Sequence, residues 1–200
     1  MKRVPWITLC FVLVCAVAGA MPGGSAALEY RQVETAAGEW WRPVTGQLVH
    51  WTTRMTIADL GAVAILGALL ERRSRCAAGL AIAGALVFTG LGLHWLPPAM
   101  HRYRGASSVA SGLFVALALD LGLARGATPL LRFVALAAAG LFVTKVGVEA
   151  GTGQALFAGA MGPGVRVSPR AHLLGALGGV VGFWVAAAGA KRSDRPAGGG

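Results

Sequence analysis

Gly105-Ala106-Ser107 forms a Gly-x-Ser turn at the mouth of an apolar run, and His172 opens a later apolar run. A serine hydroxyl is a poor nucleophile until a neighbouring base takes its proton, and an imidazole is the usual base. Placed at the top of membrane-length segments, the two are what nucleophilic hydrolysis inside a bilayer requires. Ser107 is therefore the candidate nucleophile and His172 the candidate base. Residues four apart share a helix face, so Ser107 lies above Ser111, with Ser108 and Gly112 on the adjacent stripe. Taken alone, that small polar face also reads as close helix packing, its hydroxyls bonded back to the backbone. His172 adds to it, because it heads the run His-Leu-Leu-Gly-Ala-Leu-Gly-Gly, in which Gly175 and Gly179 form a GxxxG face. Such a face draws its helix against a neighbour. If that neighbour is the Ser107 helix, imidazole and hydroxyl meet at one depth. No carboxylate third member is evident.

These residues need helices in a membrane to hold them, and the composition supplies the setting. The 200 residues are 56% hydrophobic and only 13% charged, with mean hydropathy +0.64, whereas soluble domains carry about 25% charged residues. The chain reads as an integral membrane protein. Its net charge of +10 sits in short clusters between apolar runs, where membrane topology places arginine and lysine. No basic face interleaved with aromatics suggests nucleic acid. Cys10, Cys15 and Cys76 lack metal-ligand or disulfide-framework spacing and read as small packing residues. No metal or other cofactor is implied.

Apolar stretches cover about 4–22, 55–70, 77–96, 107–124, 128–147 and 171–190. They predict an all-α membrane protein, a six-helix bundle forming one domain over 1–190. Several are shorter than the roughly 20 residues of a straight span, as befits helices that stop below the surface around a water-filled cavity or a locally thinned bilayer. Hydrolysis needs that water. The first run, with Lys2, Arg3 and then Ala18-Gly19-Ala20, also resembles a cleavable signal peptide. A retained helix is the preferred reading, because it gathers Lys2/Arg3, Arg72/Arg73/Arg75, Arg125/Arg132 and Lys191/Arg192/Arg195 on one side, the cytoplasm by the positive-inside rule. Both termini then lie there. The outer loop 23–54, with Tyr30, Trp40, Trp41 and Trp51, suits a partly submerged interfacial segment. Residues 191–200 read as a disordered basic, Gly-rich tail. No internal repeat supports a transporter, and Asp59, Asp120 and Lys145 are too few and scattered to line an ion path.

Over residues 28–182 the chain resembles the rhomboid intramembrane serine proteases, and more narrowly the rhombosortase branch associated with GlyGly-CTERM substrates. The family's Gly-x-Ser-x maps to Gly105-Ala106-Ser107-Ser108, and its His-x-x-Gly-x-x-x-Gly to His172, Gly175 and Gly179. The segment from Gly38 to His50 is similar to the family's first outer loop, where a Trp-Arg pair precedes the second helix; Arg42 and His50 fall in register. Glu71-Arg72-Arg73-Ser74-Arg75 resembles the cytoplasmic turn of rhombosortases, and Lys145 with Glu149 their Lys-to-Glu spacing in helix five. As an i, i+4 pair the last two also read as a plain helix-end salt bridge.

The resemblance implies an intramembrane serine endopeptidase of the bacterial inner membrane, its Ser-His dyad near the periplasmic side. The implied partner is a membrane protein substrate with a C-terminal transmembrane anchor, inside the lipid bilayer. Oxyanion support is expected from Ser108, His50 and Asp59. The chain departs from the family where rhomboids present His-x-x-x-Asn in the second helix: Met55 and Asp59 stand there. Methionine donates no hydrogen bond, an ionised Asp59 would repel the developing charge, and only a protonated Asp59 could donate. His50 is the substitute donor, and the Ser107 amide at a helix N-terminus is available whatever the side chains. Ser108 replaces a usual glycine, and Ser111 stands where many rhomboids set an aromatic ring against the base. A weak or inactive pseudoprotease that binds client helices is the alternative.

Overall fold

The computed structural model describes residues 4–97, 100–154, 156 and 168–193. Nine α-helices run through them: α1 (Trp6–Ala20), α2 (Gly24–Leu28), α3 (Gln32–Ala36), α4 (Arg42–Thr45), α5 (Thr53–Arg73), α6 (Arg75–Trp95), α7 (Ser107–Leu123), α8 (Pro129–Thr152) and α9 (Pro169–Ser193). Two two-residue strands, β1 (Tyr30–Arg31) and β2 (Arg102–Tyr103), pair antiparallel, Tyr30 opposite Tyr103. α5, α6, α8 and α9 are long and apolar enough to cross a membrane. α1 and α7, with 15 and 17 residues, are shorter than a straight span of about 20. Among the described residues, then, four helices rather than six meet the requirement for crossing.

The long helices start where a hydroxyl is available to cap them. Thr52 accepts the Met55 amide, Ser74 the Ala77 amide, and Thr128 the Leu131 amide ahead of Pro129, each satisfying a first-turn donor that has no intrahelical partner. These caps start α5 and α6 two residues before the apolar runs, and α8 continues five residues past its run to Thr152. The α9 helix reaches Ser193, inside the stretch expected to be a tail; residues 194–200 lie outside the described residues. The segment 23–54, expected as a loop, folds into α2, β1, α3, α4 and a 3₁₀ turn at Gly46–Leu48. Such short helices cannot stand alone. Here Arg42 donates to the Glu29 carbonyl at 2.7 Å and Thr45 to the Leu28 carbonyl at 2.8 Å.

α7 is the axis of the bundle, packed by α5, α6, α8 and α9. The closest packing is between α6, α7 and α9, where glycines let backbones touch. A Cβ at Gly84 would strike Gly178, one at Gly175 the Ser108 backbone, and one at Gly179 the Gly112 backbone. Leu60, Val63, Leu70, Ala81, Val109, Leu113 and Phe183 fill the rest of the core. α8 is held lightly, burying only Ala135, Val146 and Glu149 and leaving Leu130, Phe133, Leu136 and Leu141 exposed for lipid to cover.

α1 is tied in by a buried carboxyl. Glu71, 1% exposed, accepts the Ile7 amide at 3.0 Å, the Thr8 amide at 2.9 Å and the Thr8 hydroxyl at 2.8 Å. A carboxyl from one helix thus caps another, at the end where unpaired amides and the helix dipole favour it. Thr8 in turn fits against Gly67 of α5, and Cys15 is buried in the same seam, while Cys10 and Cys76 are exposed. Orphaning buried donors costs about 1–3 kcal/mol each. Glu71→Ala is therefore expected to lower the thermal midpoint of the detergent-solubilised chain by several degrees; an unchanged midpoint would show that Glu71 does not hold α1.

At the other end of the bundle, Glu29 is wholly buried and gathers Arg102 at 2.5 and 2.9 Å, Arg104 at 3.1 Å and Arg31 at 3.3 Å. Arg102 and Arg104 also lie over the Trp51 ring, 5.1 and 4.4 Å from its centroid. Burial alone would raise the Glu29 carboxyl; the hydrogen bonds from Arg102 and Arg104 overturn that and hold it below the usual carboxylate range. A carboxyl depressed in the folded state contributes stability above its unfolded pKa, about 4.3, and loses it as pH falls through the folded value. Acidification below about pH 4 is thus expected to loosen this knot and change Trp51 fluorescence, and Glu29→Gln to flatten that transition. A transition of equal size in the variant would assign it elsewhere.

Candidate active site

The turn before α7 is held from three directions by the segment after α4. Gly105 adopts φ +139°, a region that disfavours side chains, and a Cβ there would collide with the Met55 methyl. Its amide donates to the Gly46 carbonyl at 3.1 Å. The next amide, of Ala106, donates to His50 Nε2 at 3.3 Å, and the Ser108 hydroxyl donates to Gln47 Oε1 at 2.8 Å. Gln47, fully buried, spends its amide protons on the Pro43 and Leu86 carbonyls, both at 2.9 Å. One glutamine thus locks α4, α6 and the first turn of α7 together, and Ser107 begins that turn.

His172 reaches the same place from α9. Ser168 caps this helix through the Ala171 amide at 3.3 Å. Gly175 then lies against the Ser108 backbone and Gly179 against Gly112, so the GxxxG face meets the serine helix. With this spacing, His172 Nε2 stands 3.1 Å from Ser107 Oγ, within proton-transfer reach. The ring is 4% exposed. The pair opens onto a cavity of about 590 Å³ between α5, α7 and α8, lined by Met55, Asp59, Ser111, Phe114, Lys145 and others.

The imidazole has a second partner that the sequence did not reveal. Glu149 Oε2 lies 3.0 Å from His172 Nδ1, and Lys145 Nζ donates to the same carboxyl oxygen at 2.7 Å while standing 3.3 Å from Nδ1. The expectation that no carboxylate joins the pair is thereby corrected. Lys145 and Glu149 do form the i, i+4 contact, but it continues into the histidine. The i, i+4 spacing was the available signal, and it looked self-contained.

The oxyanion expectations divide. Ser108 is fully buried and its proton goes to Gln47, so its side chain is committed to holding the turn and does not face the cavity. His50 precedes α5, and its Nε2 accepts the Ala106 amide. His50 thus touches the turn directly, at the amide just before Ser107. Asp59 lines the cavity, with Oδ2 3.3 Å from His50 Nε2. The Ser107 amide, in the first turn of α7, has no intrahelical acceptor. Ser111 donates to the Ser107 carbonyl at 2.8 Å and presents no ring to His172. Tyr103, near the same turn, was missed: it is buried, and burial pushes its phenol up to about 12.

Residues 37–189 match the family model described as the Rhomboid domain. No curated protein sequence matches the chain.

Proposed function

The chain belongs to the rhomboid family of intramembrane serine proteases, and from that premise we propose that it is an active serine endopeptidase with Ser107 as nucleophile and His172 as base. The reading rests on the 3.1 Å contact between Ser107 Oγ and His172 Nε2 beside a cavity of about 590 Å³. Nε2 takes the hydroxyl proton as Oγ bonds to the scissile carbonyl carbon. The negative oxygen that forms is met by the Ser107 amide, aided by the positive end of α7. Collapse breaks the carbon–nitrogen bond, and His172 returns the proton to the leaving amine. A water in the cavity, deprotonated by His172, then attacks the acyl-enzyme, and Ser107 leaves with its proton restored.

The multi-pass chain lies in the bacterial inner membrane in this reading. Arg72, Arg73, Arg75 and Arg125 cluster at the Glu71 end, which the positive-inside rule assigns to the cytoplasm. The dyad then sits toward the outer side. The substrate, by resemblance to rhombosortases, is an exported protein with a C-terminal Gly-Gly motif, an apolar helix and a basic tail. Co-expression with such a protein tests this: its tail should be removed by the wild type and kept with Ser107→Ala or His172→Ala. Processing that survives both substitutions would end the dyad assignment.

One observation favours a second reading. Met55 and Asp59 line the cavity beside the turn, and neither a thioether nor an ionised carboxyl stabilises an oxyanion. A chain that only binds client helices would leave a fluorophosphonate probe unreacted in wild type and Ser107→Ala alike.

A further inference from the structure

Family membership and the dyad account for Ser107 and His172 but give no task to the half-buried Lys145–Glu149 pair on α8. Glu149 is 1% exposed, although a charged side chain in a membrane-spanning helix is costly and persists where it has a role. One of its carboxyl oxygens is shared between His172 Nδ1 at 3.0 Å and Lys145 Nζ at 2.7 Å; the other accepts the Leu156 amide at 3.2 Å. Both oxygens are therefore fixed. A carboxylate on Nδ1 keeps the ring proton there and leaves the Nε2 lone pair facing Ser107 Oγ, the tautomer a general base needs. It also stabilises the imidazolium formed on proton transfer.

Resting on the dyad reading above, we propose that Glu149 is a positioning residue that makes a Ser107–His172–Glu149 chain, and that Lys145 partly offsets its charge. The two act on the ring in opposite directions. Glu149 favours the imidazolium; Lys145, 3.3 Å from Nδ1, disfavours it both directly and by neutralising Glu149. Among the described residues, the other groups near the ring are the neutral hydroxyl of Ser107 from α7, which the Tyr103 phenol also approaches, and, across the cavity on α5, Asp59. With Ser111 in place of a ring, Glu149 is the contact that fixes the rotation of His172.

The test is the pH dependence of fluorophosphonate labelling of the full chain in detergent. In that reaction Ser107 Oγ bonds to phosphorus, fluoride leaves, and His172 takes the proton, so the rising limb reports the base. Glu149→Gln should move the midpoint down by about one unit and lower the plateau by about 10²-fold or more. Lys145→Gln should move the midpoint up by about one unit with labelling retained, and Glu149→Asp should recover part of the rate that Glu149→Gln loses. Loosened packing cannot produce opposed shifts. Midpoints that stay at the wild-type value, or that move the same way in both Gln variants, would overturn the proposal, and the Lys145→Gln arm decides it even if Glu149→Gln does not fold. Ser107→Ala is the control for the reading beneath: wild type unlabelled, or Ser107→Ala still labelled, removes the nucleophile assignment and this proposal with it.

Discussion

Ser107→Ala and His172→Ala are each expected to reduce cleavage of a membrane substrate by about 10⁴-fold or more, and the double variant to lose little beyond either single change. Residues that act as one unit behave this way: removing the nucleophile or its base costs nearly as much as removing both. A factor of 10⁴ is about 5.5 kcal/mol of transition-state stabilisation. That exceeds what a merely packed serine could lose, since Ser107→Ala deletes one oxygen at the cavity wall and leaves Gly105, Ser108 and the Gly175 contact intact. Single-turnover cleavage by the purified chain with the two single variants and the double measures it. Losses that multiply in the double variant would mean that the two residues do not share a proton and that the 3.1 Å contact is incidental.

The second large effect falls on folding. Gly179→Leu should prevent α9 from docking and abolish both the compact fold and activity. A side chain at Gly179 would enter the Gly112 backbone, and at Gly175 the Ser108 backbone. Neither neighbour is the flexible end of a side chain, so the helices must separate. Separating α9 from α7 withdraws His172 from Ser107 and exposes Leu113 and Phe183 to one another's absence. Overpacking a tight interface costs about 1–3 kcal/mol and more where backbone must move, and here both partners are backbone. Gly189→Leu, with open space around that position, is the matched control and should be tolerated. Size-exclusion behaviour and protease resistance in detergent read the difference; equal stability of the two variants would mean that close approach of α7 and α9 is not what holds the bundle.

The parts of this arrangement that were legible in sequence are those written locally. Helix periodicity, the Gly-x-Ser turn and the Gly175/Gly179 stripe are each contained in a few adjacent residues; they showed that α9 would dock closely on some neighbour, and the meeting of His172 with Ser107 followed only if that neighbour was α7. What stayed hidden depends on distant partners. Gln47 looks like any loop glutamine until Ser108, 61 residues away, is folded against it. The helices of 24–45 carry too few turns for a period and exist through bonds such as Arg42 to the Glu29 carbonyl. Glu149 was visible beside Lys145, but the step from that pair to His172 crosses from one helix to another. The helix ends shifted for a simpler reason: capping hydroxyls and terminal arginines are polar, and an apolar run stops short of them.

The Glu71 contact bears on how the chain is made. The amides it caps belong to the segment whose Ala18-Gly19-Ala20 ending resembles a leader-processing site. Removing that segment would take from Glu71 the Ile7 and Thr8 donors it now accepts and from Gly67 the Thr8 side chain packed on it. The same contact makes the leader-like helix part of the packed bundle, with Cys15 buried in its core.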